Sequence, residues 1–180
     1  MSAAPLAPAS PPDSLQTLCA SVARAERNAA QALLHELSAR VAEAGQALAG
    51  LPPALRQGSP DGYARHVAYA DPHGRFTIAY LIWRPGQHSP VHGHRTWCTY
   101  RVLQGELSET HYRWDPAARQ AVACGGALRR PGDIVTATPG LEQIHRLGNA
   151  GIGTAISLHL YGVAEADIAT GVNHVVASAA

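Results

Sequence analysis

From Tyr63 to Tyr161 the sequence is a succession of short segments rich in β-branched and aromatic residues, broken at close intervals by Gly, Pro and Asp. That texture confines the region to antiparallel sheets in a sandwich or small barrel: hairpins need such turn residues, and no long helix intervenes to carry a parallel crossover. The expected strands are Tyr63 to Tyr69, Phe76 to Trp83, Trp97 to Leu103, Leu107 to Trp114, Gln120 to Cys124, Ile134 to Thr138, His145 to Leu147 and Thr154 to Tyr161.

The residues upstream read differently. Asp13 and Ser14, after Pro11-Pro12, start a helix in which Leu15, Leu18, Val22 and Ala25 follow at near-helical spacing. A second, stronger helix is expected from about Arg27 to Leu48, with Leu33, Leu34, Leu37, Val41, Ala44 and Leu48 on its apolar face. Gly50-Leu-Pro-Pro stops it. The expected organisation is a disordered Ala/Pro arm over residues 1–12, helices over 13–50 that buttress an outer sheet surface, a barrel over 60–162 and a tail over 163–180.

With 180 residues the chain has room for one domain with a core. A net charge of +1 offers no basic stripe, so neither nucleic acid nor an anionic membrane is an expected partner. The N-terminal arm has no basic start and no continuous apolar run, so it reads as neither a signal peptide nor a membrane span. Cys19, Cys98 and Cys124 form no even disulfide framework and no C-x-x-C pair, which points to a reduced cytoplasmic setting; a monomer is expected. Cys19 reads as a buried helix residue and Cys124 as a loop thiol.

Ten histidines in a chain with one Phe and one Met are the compositional oddity. In a strand alternate side chains share a face, so His92 and His94 look one way and Gly93 the other. A third imidazole must come from elsewhere, and His145, after the turn at Pro139-Gly140, is the leading candidate. Three imidazoles describe a transition-metal site without naming the metal. His35, His66, His73, His88, His111 and His174 lie outside this pattern and read as packing or surface residues. Ser157, His159 and Tyr161 also alternate onto one face, where a hydroxyl, an imidazole and a phenol can form a hydrogen-bond chain aimed at a metal. Trp83, Trp97 and Tyr63 read as packing residues first and pocket walls second.

The residues around the histidines carry a resemblance. Gly86-x5-His92-x-His94-x3-Cys98-x6-Gly105 resembles the first cupin motif, G-x5-H-x-H-x3-4-E-x6-G, with Cys98 where glutamate is usual. Gly132-Asp133 through Pro139-x5-His145-x3-Asn149 resembles the second. The resemblance implies a mainly β protein, a small jelly-roll-like barrel preceded by a helical segment, with the metal in its mouth. Ser157-Leu-His159-Leu-Tyr161 resembles the Ser-His-Tyr triad of the thiol dioxygenases within that fold, and Tyr63-Ala-Arg65 resembles the substrate-carboxylate segment of the cysteine dioxygenases among them. Relatives that prefer 3-mercaptopropionate usually carry Gln at the position of Arg65, so Arg tips the resemblance toward cysteine.

That resemblance implies Fe(2+) held by His92, His94 and His145, and both atoms of O2 added to the sulfur of L-cysteine to give cysteine sulfinate. Arg65 and Tyr63 would bind substrate; Tyr161, His159 and Ser157 would serve catalysis. Cys98 and Tyr161 match a pair joined by a thioether in animal relatives, although the loop after His94 is one residue shorter here. The alternatives are a dioxygenase of 3-mercaptopropionate or another small thiol, a metal-dependent cupin isomerase or epimerase, and a non-catalytic ligand-binding cupin.

Overall fold

The computed structural model describes residues 13–179, so the arm expected over 1–12 lies outside the described residues. Among the described residues, ten strands follow a single α-helix, α1 (Asp13–Glu43): β1 (Ala64–Ala70), β2 (Thr77–Trp83), β3 (His92–His94), β4 (Cys98–Gln104), β5 (Leu107–Asp115), β6 (Gln120–Arg129), β7 (Ile134–Ala137), β8 (Gly140–Gly148), β9 (Ala155–Tyr161) and β10 (Asn173–Val175). They form two five-stranded antiparallel sheets, ordered β1-β2-β9-β4-β7 and β10-β3-β8-β5-β6. The sheets meet across Ala79, Leu81, Trp83, Tyr100, Val102 and Ala155 of the first and Leu107 and Leu147 of the second.

The middle of the first sheet explains where polar chemistry can sit. All seven residues of β9 are buried, because the sheet is covered on both faces. Its outward row, Ile156, Leu158 and Leu160, packs with Tyr80 and Ile82 beneath Val41 and Leu51. Each fully buried Leu or Ile contributes roughly 1.5–3 kcal/mol. The inward row is Ala155, Ser157, His159 and Tyr161. In β9 the apolar face therefore holds the helix, and the polar face is turned into the barrel.

The helical region departs from expectation. Residues 13–43 contain neither Gly nor Pro, so one 31-residue helix forms where two were expected, and it ends at Glu43 instead of reaching Leu48. Only Ala30, Leu34 and Val41 of α1 are buried, and the helix packs on β4 and β7. Arg101 Nη1 on β4 donates to the Val41 carbonyl at 2.9 Å, fixing the helix C-terminus. Leu15, Leu18, Val22 and Leu33 are exposed, so the buttress is the C-terminal half alone. Cys19 is likewise exposed, not buried.

Three strand boundaries also differ. β8 spans Gly140–Gly148, far longer than His145 to Leu147, because Gly140, expected in the turn, already pairs with His94 before the register shifts to set His145 opposite His92. β6 runs on to Arg129 through Gly125 and Gly126, so Cys124 is no loop thiol. It is the extra residue of a β-bulge, between the pairs His111–Gly125 and Tyr112–Ala123. The segment after residue 162, expected as a tail, supplies β10, which pairs Asn173 with His94 and Val175 with His92.

Candidate metal centre

β3 is three residues long, all buried, and lies between β8 and β10. His92 stands directly opposite His145 of β8. Alternation brings His94 to the same side, and the ring centroids are 5.3 Å (His92–His94), 4.7 Å (His92–His145) and 5.1 Å (His94–His145) apart. One ring nitrogen from each imidazole lies within 4.8 Å of the others. Gly93 is required between them, since a Cβ there would run into the Gly140 carbonyl.

The outer hydrogen bonds orient these rings. His92 Nδ1 is 2.9 Å from the Pro90 carbonyl and His145 Nδ1 is 2.6 Å from Glu109 Oε1. Both partners are acceptors, so Nδ1 carries the proton and each Nε2 lone pair is left for an ion. His94 Nδ1 is buried without a partner. Burial, and then the neighbouring His145, hold His92 down at about 4 and His94 at about 3, so both are neutral near pH 7. Buried neutral imidazoles with free Nε2 lone pairs fit a first-row transition ion such as Fe(2+).

The first sheet supplies the facing wall. Trp83 Nε1 donates to Ser157 Oγ at 3.0 Å, and Ser157 Oγ is 2.8 Å from His159 Nε2. Indole is only a donor, so the serine proton goes on to His159 Nε2, and Nδ1–H becomes a buried donor with no partner. Burial, then Arg65 and the three histidines, hold His159 well below the usual imidazole range and keep it neutral. Its ring stacks on Tyr100 at 4.9 Å and on Tyr161 at 5.6 Å. The relay therefore runs Trp83 to Ser157 to His159; no hydrogen bond links His159 to Tyr161. Burial and the adjacent Cys98 push the Tyr161 phenol up, against the Arg65 guanidinium, which lies 5.8 Å over its ring.

Arg65 donates through Nη1 to the Ile168 carbonyl at 2.7 Å, while its buried Nε has no partner. Tyr63 stacks on Trp83 at 4.4 Å. Cys98 is paired across strands with Tyr161 and buried beside it; burial pushes its thiol up, so it is protonated. Every site residue expected from sequence, except Ser157, lines one cavity of about 30 Å³ between the sheets, and Ser157 stands directly behind His159. Asn173 of β10 joins that lining.

Sequence reasoning missed two groups. Glu109 is 4% exposed; Arg129 Nε donates to its Oε2 at 2.6 Å, and His111 Nε2 stands 3.3 Å from the same oxygen. Burial works to raise Glu109, yet the hydrogen bonds from His145 and Arg129 outweigh it and bring it to about 2. Tyr100 is buried with no partner for its hydroxyl. The signal for Glu109 was an acid two residues after Leu107, in the inward row of β5. Of the histidines set aside, His35, His73 and His88 are exposed.

A family model described as cysteine dioxygenase type I matches residues 54–167. The chain belongs to this family. Curated relatives include the cysteine dioxygenases type 1 of Homo sapiens, 29% identical over 92 residues, and of Bos taurus, 28% identical over 92. In both, the match covers 49% of this chain and 45% of the relative, so it spans less than half the length of those cysteine dioxygenases. Solved structures with a similar fold include a protein from Thermus thermophilus (TM-score 0.46, 22% identity, covering 58% of this chain and 87% of that one). Another is a cupin 2 conserved barrel domain protein from Salinispora arenicola (TM-score 0.43, 17% identity, covering 55% and 74%).

Proposed function

We propose that the chain is an iron thiol dioxygenase that adds both atoms of O2 to the sulfur of L-cysteine, giving cysteine sulfinate. The observation that carries this reading is the unpartnered Arg65 Nε in the same cavity as the three clustered imidazoles. A guanidinium N–H buried without a partner is a standing cost that a substrate carboxylate removes. Arg65 presents that donor in planar geometry and is pinned from the other side by Ile168.

Fe(2+) bound by His92, His94 and His145 would supply Lewis acidity and oxygen activation. The protein's part is positioning. Arg65 holds the carboxylate, Tyr63 and Trp83 give the cavity an aromatic wall, and the relay from Trp83 through Ser157 fixes the His159 tautomer so that its Nδ1–H is the donor left free. Tyr161 places a phenol, kept protonated by burial, beside Cys98 and under Arg65. The cross-strand pairing of Cys98 and Tyr161 also supports a thioether between them formed during turnover, with loss of two hydrogens to dioxygen. Intact mass of aerobically turned-over protein, against a Cys98→Ala control, tests that bond.

The function is tested by an oxygen-electrode assay of iron-reconstituted protein with cysteine, 3-mercaptopropionate and cysteamine side by side. Oxygen uptake fastest with cysteine is expected. Faster uptake with 3-mercaptopropionate would change the substrate, and no uptake with any thiol would sink the enzyme reading.

A further inference from the structure

The three imidazoles of the centre have unequal outer partners. His92 has a backbone carbonyl, His94 Nδ1 has nothing, and His145 has a buried carboxylate. The cluster itself contains no acid. We infer that Glu109 is a positioning residue of this centre: it holds His145 with Nε2 turned to the ion and sets a negative charge one hydrogen bond from it. The inference rests on the three-histidine metal reading above.

The geometry separates this role from that of an ordinary ion pair. Glu109 divides its oxygens, Oε1 to His145 and Oε2 to Arg129, whose Nε and Nη2 both lie at 2.6 Å. Two contacts on Oε2 lock the carboxylate plane, so Oε1 stays aimed at His145 Nδ1. A carboxylate accepting the Nδ1 proton fixes the ring's tautomer and makes its Nε2 a stronger donor. Glu109 also lies behind the imidazoles: it lines a second cavity, of about 360 Å³, and not the smaller one that holds Arg65 and Tyr161. It therefore acts through His145 and does not touch substrate.

The test measures metal affinity, independent of turnover. Zn(II) and Co(II) affinities of the full chain are taken by chelator competition for the unaltered protein and for Glu109→Gln, alongside the melting temperature of each metal-free protein. Affinity about 10- to 100-fold weaker is expected, together with an altered Co(II) absorption spectrum. Unchanged affinity in a folded Glu109→Gln protein, even one with a lower melting temperature, would show that Glu109 only holds the sheet together and would overturn the inference. Glu109→Ala gives a second arm, because the cavity behind Glu109 has room for a small carboxylate. Acetate should restore affinity where acetamide does not; equal behaviour of the two would also overturn it. Failure of the unaltered chain to bind either ion would remove the metal centre itself, an outcome distinct from equal affinities.

Discussion

The imidazole cluster has two sides, and they differ in a way that volume alone misrepresents. In front lies a cavity of about 30 Å³ and behind lies one of about 360 Å³; His94, Cys98, Tyr100 and His145 form the partition between them. The front has room for about two waters, yet Arg65 Nε and His159 Nδ1 are left there without partners. In the roomy rear the buried carboxylate is already satisfied, Glu109 by Arg129 and His145. Unmet hydrogen-bonding capacity, not space, marks where a small polar ligand gains most. The proposed substrate, a thiol amino acid, would satisfy those donors, and in a cavity of about 30 Å³ the walls would have to part to admit it.

The largest effect comes from breaking the partition. His94→Ala removes a proposed ligand that both cavities share, so the protein should retain no iron after anaerobic reconstitution and desalting, and oxygen uptake should fall to background. Metal analysis decides it. Iron retained at the unaltered level with full turnover would mean that the centre does not use three imidazoles.

Acid should separate the two sides by pH. His92 and His94, at about 4 and about 3, sit below the ordinary 6.5, so between those values the unfolded chain binds protons that the folded chain does not. Stability of the metal-free protein therefore rises with pH across that window and is lost on going from about 6.5 downward, each pKa unit being worth roughly 1.4 kcal/mol. Glu109 is displaced in the same direction but in a lower window. Lowered from 4.5 to about 2, it stabilises the fold fully above 4.5, and that contribution is lost as pH falls from 4.5 through about 2, below the histidine window. Urea unfolding of metal-free protein at pH 7.5, 6 and 5 should show stability already falling in the histidine window, and less steeply in His94→Ala. A flat profile from 7.5 to 5 would mean that the imidazoles are not held neutral by burial.

How much of this was legible in the chain follows from which contacts are local. His92-Gly93-His94 and Ser157-Leu158-His159-Leu160-Tyr161 announce themselves because strand alternation alone puts their ligands and polar groups on one face. The β-rich texture gave the antiparallel architecture for the same reason. Glu109 was hidden because its meaning lies in a partner 36 residues away on the neighbouring strand, and β10 because three residues carry too little pattern to be read. Cys19 and the first turns of α1 misled in the other direction. Their spacing is helical, but among the described residues no surface covers them.

On the front side, Arg65→Gln keeps a donor but loses the charge and the planar fork. A hydrogen bond to a charged group is worth about 1.5–3 kcal/mol, so at tenfold per 1.4 kcal/mol kcat/KM with cysteine should fall on the order of ten- to a hundred-fold. The ratio of rates should also move toward 3-mercaptopropionate. An unchanged ratio would remove the reason for choosing cysteine. Metal content should be unaffected, which distinguishes this change from one at the partition.

The smallest effect lies one step behind the front wall. Ser157 never meets the cavity, yet it passes the hydrogen bond from Trp83 Nε1 to His159 Nε2. In Ser157→Ala the indole loses its acceptor and His159 Nε2 its donor. The imidazole can then place its proton on Nε2 and present a bare Nδ1 to the cavity. That reverses a donor into an acceptor without moving the ring, which remains stacked between Tyr100 and Tyr161. Turnover should drop by about tenfold, the lower end of what outer-shell partners are worth, while KM for cysteine and bound iron stay near their unaltered values. Ser157→Thr, which keeps the hydroxyl, should recover most of the rate if the barrel interior accepts the added methyl. Equal losses for Ala and Thr would assign Ser157 to packing alone and leave the front side without its proton-setting relay.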